Sequence, residues 1–252
     1  MQNLIKEKKF KELFEYIREE EGEYIPLQFS ENSKISTIKV NAKESPAKEI
    51  SEPELITIEN WEKSTSMGQL NDAIKDCLKC KYGYTRTKFV FGVGNTNAEI
   101  LLVGEAPGAD EDLKGEPFVG KAGQLLDKIL AAINLDRNQV YIANVVKCRP
   151  PGNKTPDEAD YAPCLPYLKK QIELIKPQFI LLLGAVALQA LFGKSYKITH
   201  WRGKVINLGG IAAIPTYHPA YLLRNPAAKK EVWEDVQLLQ KMYLEYKKSK
   251  ED

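Results

Sequence analysis

Four short apolar runs, separated by helical patterns, limit what this chain can fold into. Each run is followed by a loop that contains Gly, Pro or Asn, as is typical of buried strands. The runs are Ile100–Val103, Val140–Val146, Phe179–Leu183 and Ile211–Thr216. Strands that alternate with helices are joined by right-handed crossovers and form a parallel sheet covered on both faces. We therefore predict an α/β fold with three αβα layers around a central, mostly parallel sheet of four strands.

Helical spacing of apolar residues fills the segments between these strands and the C-terminal segment. The predicted helices are Lys121–Ile133, Leu165–Ile175, Ala185–Phe192 and Lys229–Tyr246. Another helix start is predicted at Thr155, whose hydroxyl would cap a helix with Pro156 in its first turn and an acid at the third position.

The first 66 residues differ from the rest in composition. Apolar residues from Leu4 to Ile17 follow helical spacing among Lys and Glu, and residues 22–66 are polar without a sustained period. We predict an N-terminal amphipathic helix with a polar linker over residues 1–66 and a folded domain over residues 67–252. The helix is expected either to be solvated or self-packed, or to bind a protein partner.

Hydropathy and charge narrow the protein class. No apolar run of about 18 residues is present, so no membrane span is predicted. The net charge is +2, with an acidic excess in residues 1–66 and a basic excess downstream. This distribution permits a polyanionic partner without requiring one. The chain begins MQNLIKEKKF, without an apolar secretory segment, so we expect a reducing, cytoplasmic location.

The chain has four cysteines, which fall into two unequal pairs. Cys77 and Cys80 form a Cys-x-x-Cys pair, whereas fifteen residues separate Cys148 from Cys164. Four thiolates in one loop-rich segment are a ligand set for zinc or for an iron–sulfur cluster. A zinc ribbon usually repeats the tight pair, so the spacing favours a [4Fe–4S] cluster and leaves zinc open. Disulfides are the simpler alternative, which a reducing location disfavours.

Polar and glycine-rich loops follow three of the predicted strands. Gly104 and Glu105 follow the first run, Asn144 lies near the end of the second, and His218 follows the fourth. An Asn amide suits a nucleobase edge, a carboxylate can orient water, and an imidazole can donate to a developing oxyanion. Asn144 alone is equally explained as a loop cap, and His218 as a satisfied loop histidine. Because ligands bind beyond the carboxyl ends of parallel strands, the joint placement predicts a site.

Four segments carry a resemblance to a known family. They are Gly104–Gly108 (GEAPG), Gly115–Gly123 (GEPFVGKAG), Asn144–Pro151 (NVVKCRPP) and His218–Arg224 (HPAYLLR). From about Met67 to Met242 the chain resembles the family 4 uracil-DNA glycosylases, the iron–sulfur members of the uracil-DNA glycosylase superfamily. The cysteines match that family in number, order and spacing, so the resemblance implies a [4Fe–4S] cluster rather than zinc. Residues 1–66 lie outside the resemblance.

The resemblance implies a DNA repair enzyme that acts on uracil-containing DNA, single- or double-stranded, and we expect a monomer. Such an enzyme flips uracil out of the stack and hydrolyses its N-glycosidic bond, leaving an abasic site. By position, Phe118 would stack on uracil, Asn144 would pair with its polar edge, and His218 would donate to O2. The backbone of Gly104, Glu105 and Ala106 would line the pocket.

The resemblance also implies roles for acidic and DNA-facing residues. Glu105 is the first choice to position the water, and Glu111 is the second choice or a guard near uracil C5. The predicted phosphate contacts are Lys147, Arg149, Lys154, Arg202 and Arg224, and the predicted wedge into the base stack is Leu222 or Leu223. The cluster would have a structural role.

Two related families and one other class compete with this interpretation. Family 5 glycosylases have an apolar residue in place of Glu105, and the DNA-linking relatives use an extra histidine, but this chain has none between Phe118 and His200. A non-catalytic iron–sulfur electron carrier or DNA-binding module is the remaining alternative, although it gives no reason for the predicted pocket residues to coincide.

Overall fold

A computed structural model describes residues 59–251. The amphipathic helix predicted from Leu4 to Ile17 and the linker up to residue 58 lie outside the described residues. Those expectations, including the protein partner of the helix, therefore stay predictions.

A six-stranded sheet forms the middle layer. Its strands are β1 (Val93–Gly94), β2 (Ile100–Gly104), β3 (Tyr141–Asn144), β4 (Phe179–Leu183), β5 (Ile206–Leu208) and β6 (Ile211–Thr216). They lie in the order β1-β3-β2-β4-β6-β5. The four inner strands are parallel, which confirms the predicted sheet. The prediction lacked the two edge strands, which are short and antiparallel. All residues of β2 and β4 are buried, which explains their continuous apolar sequence.

One helix of the described chain precedes these strands, and the others lie between and after them. They are α1 (Met67–Ile74), α2 (Ala109–Lys114), α3 (Lys121–Ala132), α4 (Glu158–Tyr161), α5 (Leu165–Ile175), α6 (Ala185–Phe192), α7 (Ile198–Trp201), α8 (Pro219–Arg224) and α9 (Lys229–Glu251). Within residues 59–251, no helix combines the length and the apolar character needed to cross a membrane.

Helices cover both faces of the sheet. The chain moves from β2 outward to β3 and then back across β2 to β4, so right-handed connections place α3 and α5 on opposite faces. Leu101 and Ile180 pack in one core with Leu168 of α5 and Ala187 of α6. On the other face, Gln240 of α9 donates to the carbonyl at the end of α3 over 2.8 Å. The predicted three-layer arrangement is therefore confirmed.

The predicted helix start at Thr155 is wrong by two residues. Asp157 is the N-cap of α4, because its carboxylate accepts the Asp160 amide at 3.1 Å and the Asp160 side chain accepts the Asp157 amide in return. An aspartate with an acid three residues later satisfies the free amides of a first turn better than a lone hydroxyl. The Thr155 side chain instead bonds Glu105.

Trp61 lies in the segment predicted as linker, yet it is buried in the described structure. Its ring meets the Tyr167 ring edge-on, with centroids 4.8 Å apart. Leu70, Ile74 and Cys77 complete this small core. The core therefore joins residues upstream of Met67 to α1 and α5.

Trp61→Ala is expected to lower the free energy of unfolding by roughly 3–5 kcal/mol, because it removes a large buried ring and leaves a cavity. Thermal and urea unfolding monitored by circular dichroism measure the loss. Tyr84→Ala is the matched control, since the Tyr84 side chain is exposed and its removal should change stability by less than about 0.5 kcal/mol. Equal losses in the two variants would show that the Trp61 contact contributes nothing.

Candidate active site

Glycines and polar side chains meet at the carboxyl edge of the sheet. Gly104 ends β2 and Asn144 ends β3, and these two residues are direct partners across the strand pair. Gly184 follows β4, and its amide donates to the Thr216 carbonyl at the end of β6 over 2.9 Å. A Cβ atom added to Gly184 would lie 3.1 Å from the His218 Cβ, so the loop after β6 adjoins the end of β4. The strand ends therefore adjoin one another, and we call the region beyond them the crevice.

The crevice floor forms where Phe118 and Asn144 meet over Gly104. A Cβ atom on Gly104 would lie 2.6 Å from the Phe118 ring and would overlap the Asn144 side-chain oxygen. Glycine is required for this approach because any side chain would displace the ring or the amide. The Phe118 ring also lies against the His218 ring, with centroids 5.5 Å apart and planes inclined by 28°. The predicted pocket residues are thus brought together.

Phe118 is held in an unusual backbone conformation. Its φ angle is 55°, in the left-handed region that side-chain-bearing residues rarely adopt. Arg137 fixes this loop by donating to the Pro117 carbonyl at 3.2 Å and to the Phe118 carbonyl. Asp127 in turn accepts from Arg137 at 2.6 Å. Sequence reasoning missed Arg137, because no local motif connects it to the Phe118 loop.

Asn144 offers an unused hydrogen-bond acceptor. The residue is buried, and its side-chain oxygen has no hydrogen-bond partner among residues 59–251. Buried polar atoms are almost always paired in folded proteins, so an unpaired one at a crevice floor indicates a position for a ligand donor. A loop-capping role does not account for this orientation.

His218 is poised as a neutral hydrogen-bond donor. The Ala220 amide donates to His218 Nδ1 over 3.1 Å, so in the neutral ring the hydrogen resides on Nε2. Burial and, as a smaller effect, the nearby Arg224 lower the His218 pKa to about 4, and Glu111 opposes both. The imidazole is therefore neutral at physiological pH and has its Nε2–H free to donate.

Glu105 lies next to the floor, directly after β2. Both Glu105 and Ala106 are half-buried. Burial raises the Glu105 pKa, and a hydrogen bond with the Thr155 side chain opposes the rise. A carboxylate with a raised pKa is a better proton acceptor, which suits a group that orients water. Thr155 is a second functional candidate that sequence reasoning missed.

Glu111 connects two loops of the site. Its carboxylate accepts the Gly108 amide at 3.0 Å, the Val119 amide at 2.9 Å and the Gly120 amide at 3.0 Å. Both oxygens are thereby bound to backbone on either side of the pocket. The prediction of Glu111 as a second water-positioning acid does not fit these bonds, since they make it a positioning residue. Its suggested role as a guard near C5 stays a prediction.

Lys147 cannot contact DNA phosphates as predicted, because its side chain is fully buried. Its amine donates to the Asn144 carbonyl at 2.9 Å and to the Gln171 side-chain oxygen. Burial lowers the Lys147 pKa to about 7, opposed by the nearby Cys164 and Cys148. Lys147 therefore stabilises the carboxyl end of β3.

Two other DNA-contact predictions are also wrong. Leu222 lies on the buried face of α8, so it is not available as a wedge. Arg202 forms a two-pronged ion pair with Asp235, at 2.5 and 3.1 Å, and its guanidinium is therefore already engaged. Lys154 and Arg224 are exposed, and Arg149 and Leu223 are half-buried, so their roles stay predictions.

The four cysteines are all unpaired thiols. Cys80 hydrogen-bonds Cys164, which lowers the Cys80 pKa to about 6. Burial raises the pKa of Cys148 to about 11, opposed by Arg86, which donates to the Cys148 sulfur at 3.3 Å. Cys148 is also within electrostatic range of Cys77 and Cys80. The fold has thus gathered thiols that lie up to 87 positions apart in the sequence, from Cys77 to Cys164.

The arrangement of the cysteines differs from that of a site for a single metal ion. In the described part of the chain, no group of three or more His, Cys, Asp or Glu side chains is arranged to hold a metal ion. In a four-iron cluster each thiolate binds a different iron, so its sulfurs lie farther apart than the ligands of one ion. Four free thiols near one another, with Arg86 beside them, fit the anionic donor set of such a cluster.

Comparisons with known proteins identify the family of this chain. Residues 91–237 match the model of the uracil DNA glycosylase superfamily. The chain is 44% identical over 186 residues to a type-4 uracil-DNA glycosylase of Archaeoglobus fulgidus, covering 67% of this chain and 90% of that protein. It is 46% identical over 172 residues to the type-4 enzyme of Thermotoga maritima, again covering 67% and 90%. A type-5 enzyme of Pyrobaculum aerophilum is 31% identical over 148 residues, covering 51% and 64%. These similarities do not favour the non-catalytic alternative.

Proposed function

This chain belongs to the uracil DNA glycosylase superfamily, and on that premise we propose that it repairs DNA by hydrolysing the N-glycosidic bond of uracil. The observation that carries the assignment is the unpaired acceptor of buried Asn144, which lies beside the Phe118 ring and the neutral His218. Uracil complements this arrangement, because its N3–H is a donor flanked by two carbonyl acceptors and its ring offers an apolar face. The enzyme is an N-glycosyl hydrolase.

Recognition would begin with extrusion of the nucleotide from the stack. The Asn144 side-chain oxygen would accept N3–H and its amide would donate to a ring carbonyl, while Phe118 would stack on the base. Cytosine presents an acceptor at N3 and an amine at C4, so it would oppose both groups. Lys147 and Glu111 act through other residues, since they hold the backbone of Asn144 and the Phe118 loop.

Bond cleavage would place negative charge on the departing uracil and positive character on the sugar. His218 Nε2–H would donate to uracil O2 and stabilise the leaving anion. Glu105 would orient a water molecule toward C1′ and accept its proton as the new C–O bond forms. Uracil leaves as an anion that takes up a proton from solvent, and the DNA is left with an abasic site.

We propose that Cys77, Cys80, Cys148 and Cys164 hold a [4Fe–4S] cluster as thiolates. When bound, the cluster would supply a structural crosslink between the segment after α1 and the segment before α5. The reaction requires no electron transfer, so the chain's own residues perform the chemistry. The free thiols also support a reducing, cytoplasmic location.

The substrate would be uracil-containing DNA, single- or double-stranded, bound by a monomer. Of the basic residues predicted to contact phosphates, Arg149, Lys154 and Arg224 remain candidates. Leu223 remains the candidate wedge.

Incubation with an oligonucleotide that contains one uracil, followed by alkaline cleavage, tests the function. We expect a strand break at the uracil and none in the matched thymine oligonucleotide. Asn144→Asp keeps the side-chain shape but replaces the donor with an acceptor, so it should reduce uracil excision and weaken the rejection of cytosine. Wild-type protein with bound iron that leaves the uracil strand intact would refute the proposed function.

A further inference from the structure

Charge is distributed unevenly around the crevice. The 57 residues between Glu173 and Glu231 contain eight Lys or Arg and no Asp or Glu. This stretch includes β4, β6 and the His218 loop, whereas Glu105 and the acids of α2 follow β2 on the other side. A polyanion that approaches the crevice is therefore attracted to the side that carries His218.

Aromatic and basic residues are interleaved within this acid-free stretch. We call the surface formed by Tyr196, Lys197, His200, Trp201 and Lys204 the α7 surface. The Tyr196 and Trp201 rings lie 4.8 Å apart and are inclined by 33°. The Lys204 amine lies 5.5 Å from the centroid of the Trp201 ring. Lys197, His200 and Lys204 are exposed, and both large rings are half-buried.

The α7 surface adjoins the crevice. The Gly203 amide donates to the Pro215 carbonyl at 3.0 Å, which ties the end of α7 to the carboxyl end of β6. The Arg202 guanidinium lies 5.9 Å from the ring of Tyr217, the residue before His218. Its ion pair with Asp235 fixes this junction. A DNA strand that leaves the pocket past His218 would therefore meet Trp201 and Lys204.

We propose that the α7 surface binds the single-stranded DNA that flanks the extruded uracil; this inference rests on the proposed function. Surfaces of this kind combine cations, which pair with successive phosphates, and aromatic faces, on which any base can stack. Lys197 and Lys204 supply the charges and Trp201, with Tyr196 behind it, supplies the stacking face. Among residues 59–251 neither Lys197 nor Lys204 has an acidic partner, whereas Arg202 nearby is paired, so these two amines can bind phosphates, which a protein partner would not require.

The salt dependence of binding tests the two lysines. Binding of a uracil-free oligo(dT) of about 15 nucleotides is measured by fluorescence anisotropy at several salt concentrations. For single strands, each neutralised phosphate contributes about 0.7 to the slope of log K against log salt. Lys197→Gln with Lys204→Gln should therefore reduce the slope by about 1.4. Lys241→Gln with Lys248→Gln, on exposed positions of α9, is the matched control and should leave the slope unchanged.

Tryptophan emission tests the stacking face independently of charge. Trp61 and Trp233 are buried, so Trp201 is the tryptophan within reach of a bound base. Oligo(dT) should quench the wild-type emission, and Trp201→Phe should abolish the quenching while the protein stays folded. Unchanged quenching in Trp201→Phe, or an unchanged salt slope in the lysine variant, would refute the proposal that the α7 surface binds DNA.

A very short substrate separates failure of this inference from failure of the proposed function. A trinucleotide with a central uracil fills the pocket but is too short to extend along the α7 surface. The lysine variant should excise uracil from it at the wild-type rate and should lose several-fold in kcat/KM on a long single strand. If wild-type protein excises from neither substrate, the proposed function fails. If the lysine variant excises uracil from both substrates as wild type does, only the proposed DNA binding by the α7 surface is refuted.

Discussion

Replacing His218 with alanine is expected to lower the single-turnover rate of uracil excision roughly 10²–10³-fold, the usual cost of removing a donor aimed at a developing oxyanion. The Nε2–H of His218 is free to donate because the Ala220 amide already occupies Nδ1. DNA affinity should change less, since the bond to O2 strengthens as charge develops. Rapid-quench kinetics with enzyme in excess measure the rate, and anisotropy measures affinity.

Two acid variants accompany this measurement. Glu105→Gln should also slow excision, because an amide cannot accept the proton of the attacking water. Glu111→Gln keeps the side-chain length, but its amide cannot accept three backbone N–H groups as the carboxylate does, so its effect should appear first in stability and KM. Near wild-type single-turnover rates in both His218→Ala and Glu105→Gln would refute the mechanism, even for a working glycosylase.

The pH dependence of the excision rate follows from the ionisation of Glu105 and His218. Glu105 must be ionised to accept a proton, and burial raises its pKa. The wild-type rate should therefore fall as the pH drops through that raised pKa. His218 stays neutral until the pH nears its own pKa of about 4. Its protonation therefore lowers the excision rate only at a more acidic pH than protonation of Glu105 does. In Glu105→Gln, the decrease in excision rate that begins at the higher pH should therefore be absent.

The second large effect is expected from the cysteines. Cys148→Ala should sharply reduce the yield of folded protein, because cluster binding and folding are coupled when no preformed site exists in the unfolded chain. The buried Lys147 amine lies within electrostatic range of Cys148 and Cys164, so loss of the thiolates would also leave a buried cation uncompensated. Iron content, visible absorbance and the thermal midpoint report the loss without reference to activity.

Cys80→Ala is the variant with which Cys148→Ala is compared. Cys80 is half-buried whereas Cys148 is buried, so Cys80→Ala should remove the absorbance with a smaller loss of folded yield. Substrate preference among the surviving molecules should not change in either variant. Stoichiometric zinc without iron in wild-type protein prepared anaerobically would refute the cluster assignment.

The positions of the four inner strands and of α3, α5, α6 and the start of α9 could be predicted from the sequence because local patterns determine them. The buried parallel strands are nearly continuous apolar runs bounded by turn residues, and each inner strand lies within two residues of its predicted bounds. Gly104, Asn144 and His218 follow strand ends, so the parallel topology alone was enough to predict that they meet. In the structure these residues lie together, while the site and their chemical roles stay proposals.

Burial of individual charged and apolar side chains was decided only by the tertiary structure. Lys147 and Arg149 lie two residues apart, yet Lys147 faces Asn144 and Gln171 inside the core while Arg149 is half-buried. Leu222 and Leu223 are neighbours in α8, and packing of one face of that helix buries the first more than the second. The three amides bound by Glu111 come from two loops that only the folded chain brings together. Local periodicity fixes which segments are strands and helices, but a side chain's partners depend on contacts between segments that are distant in sequence.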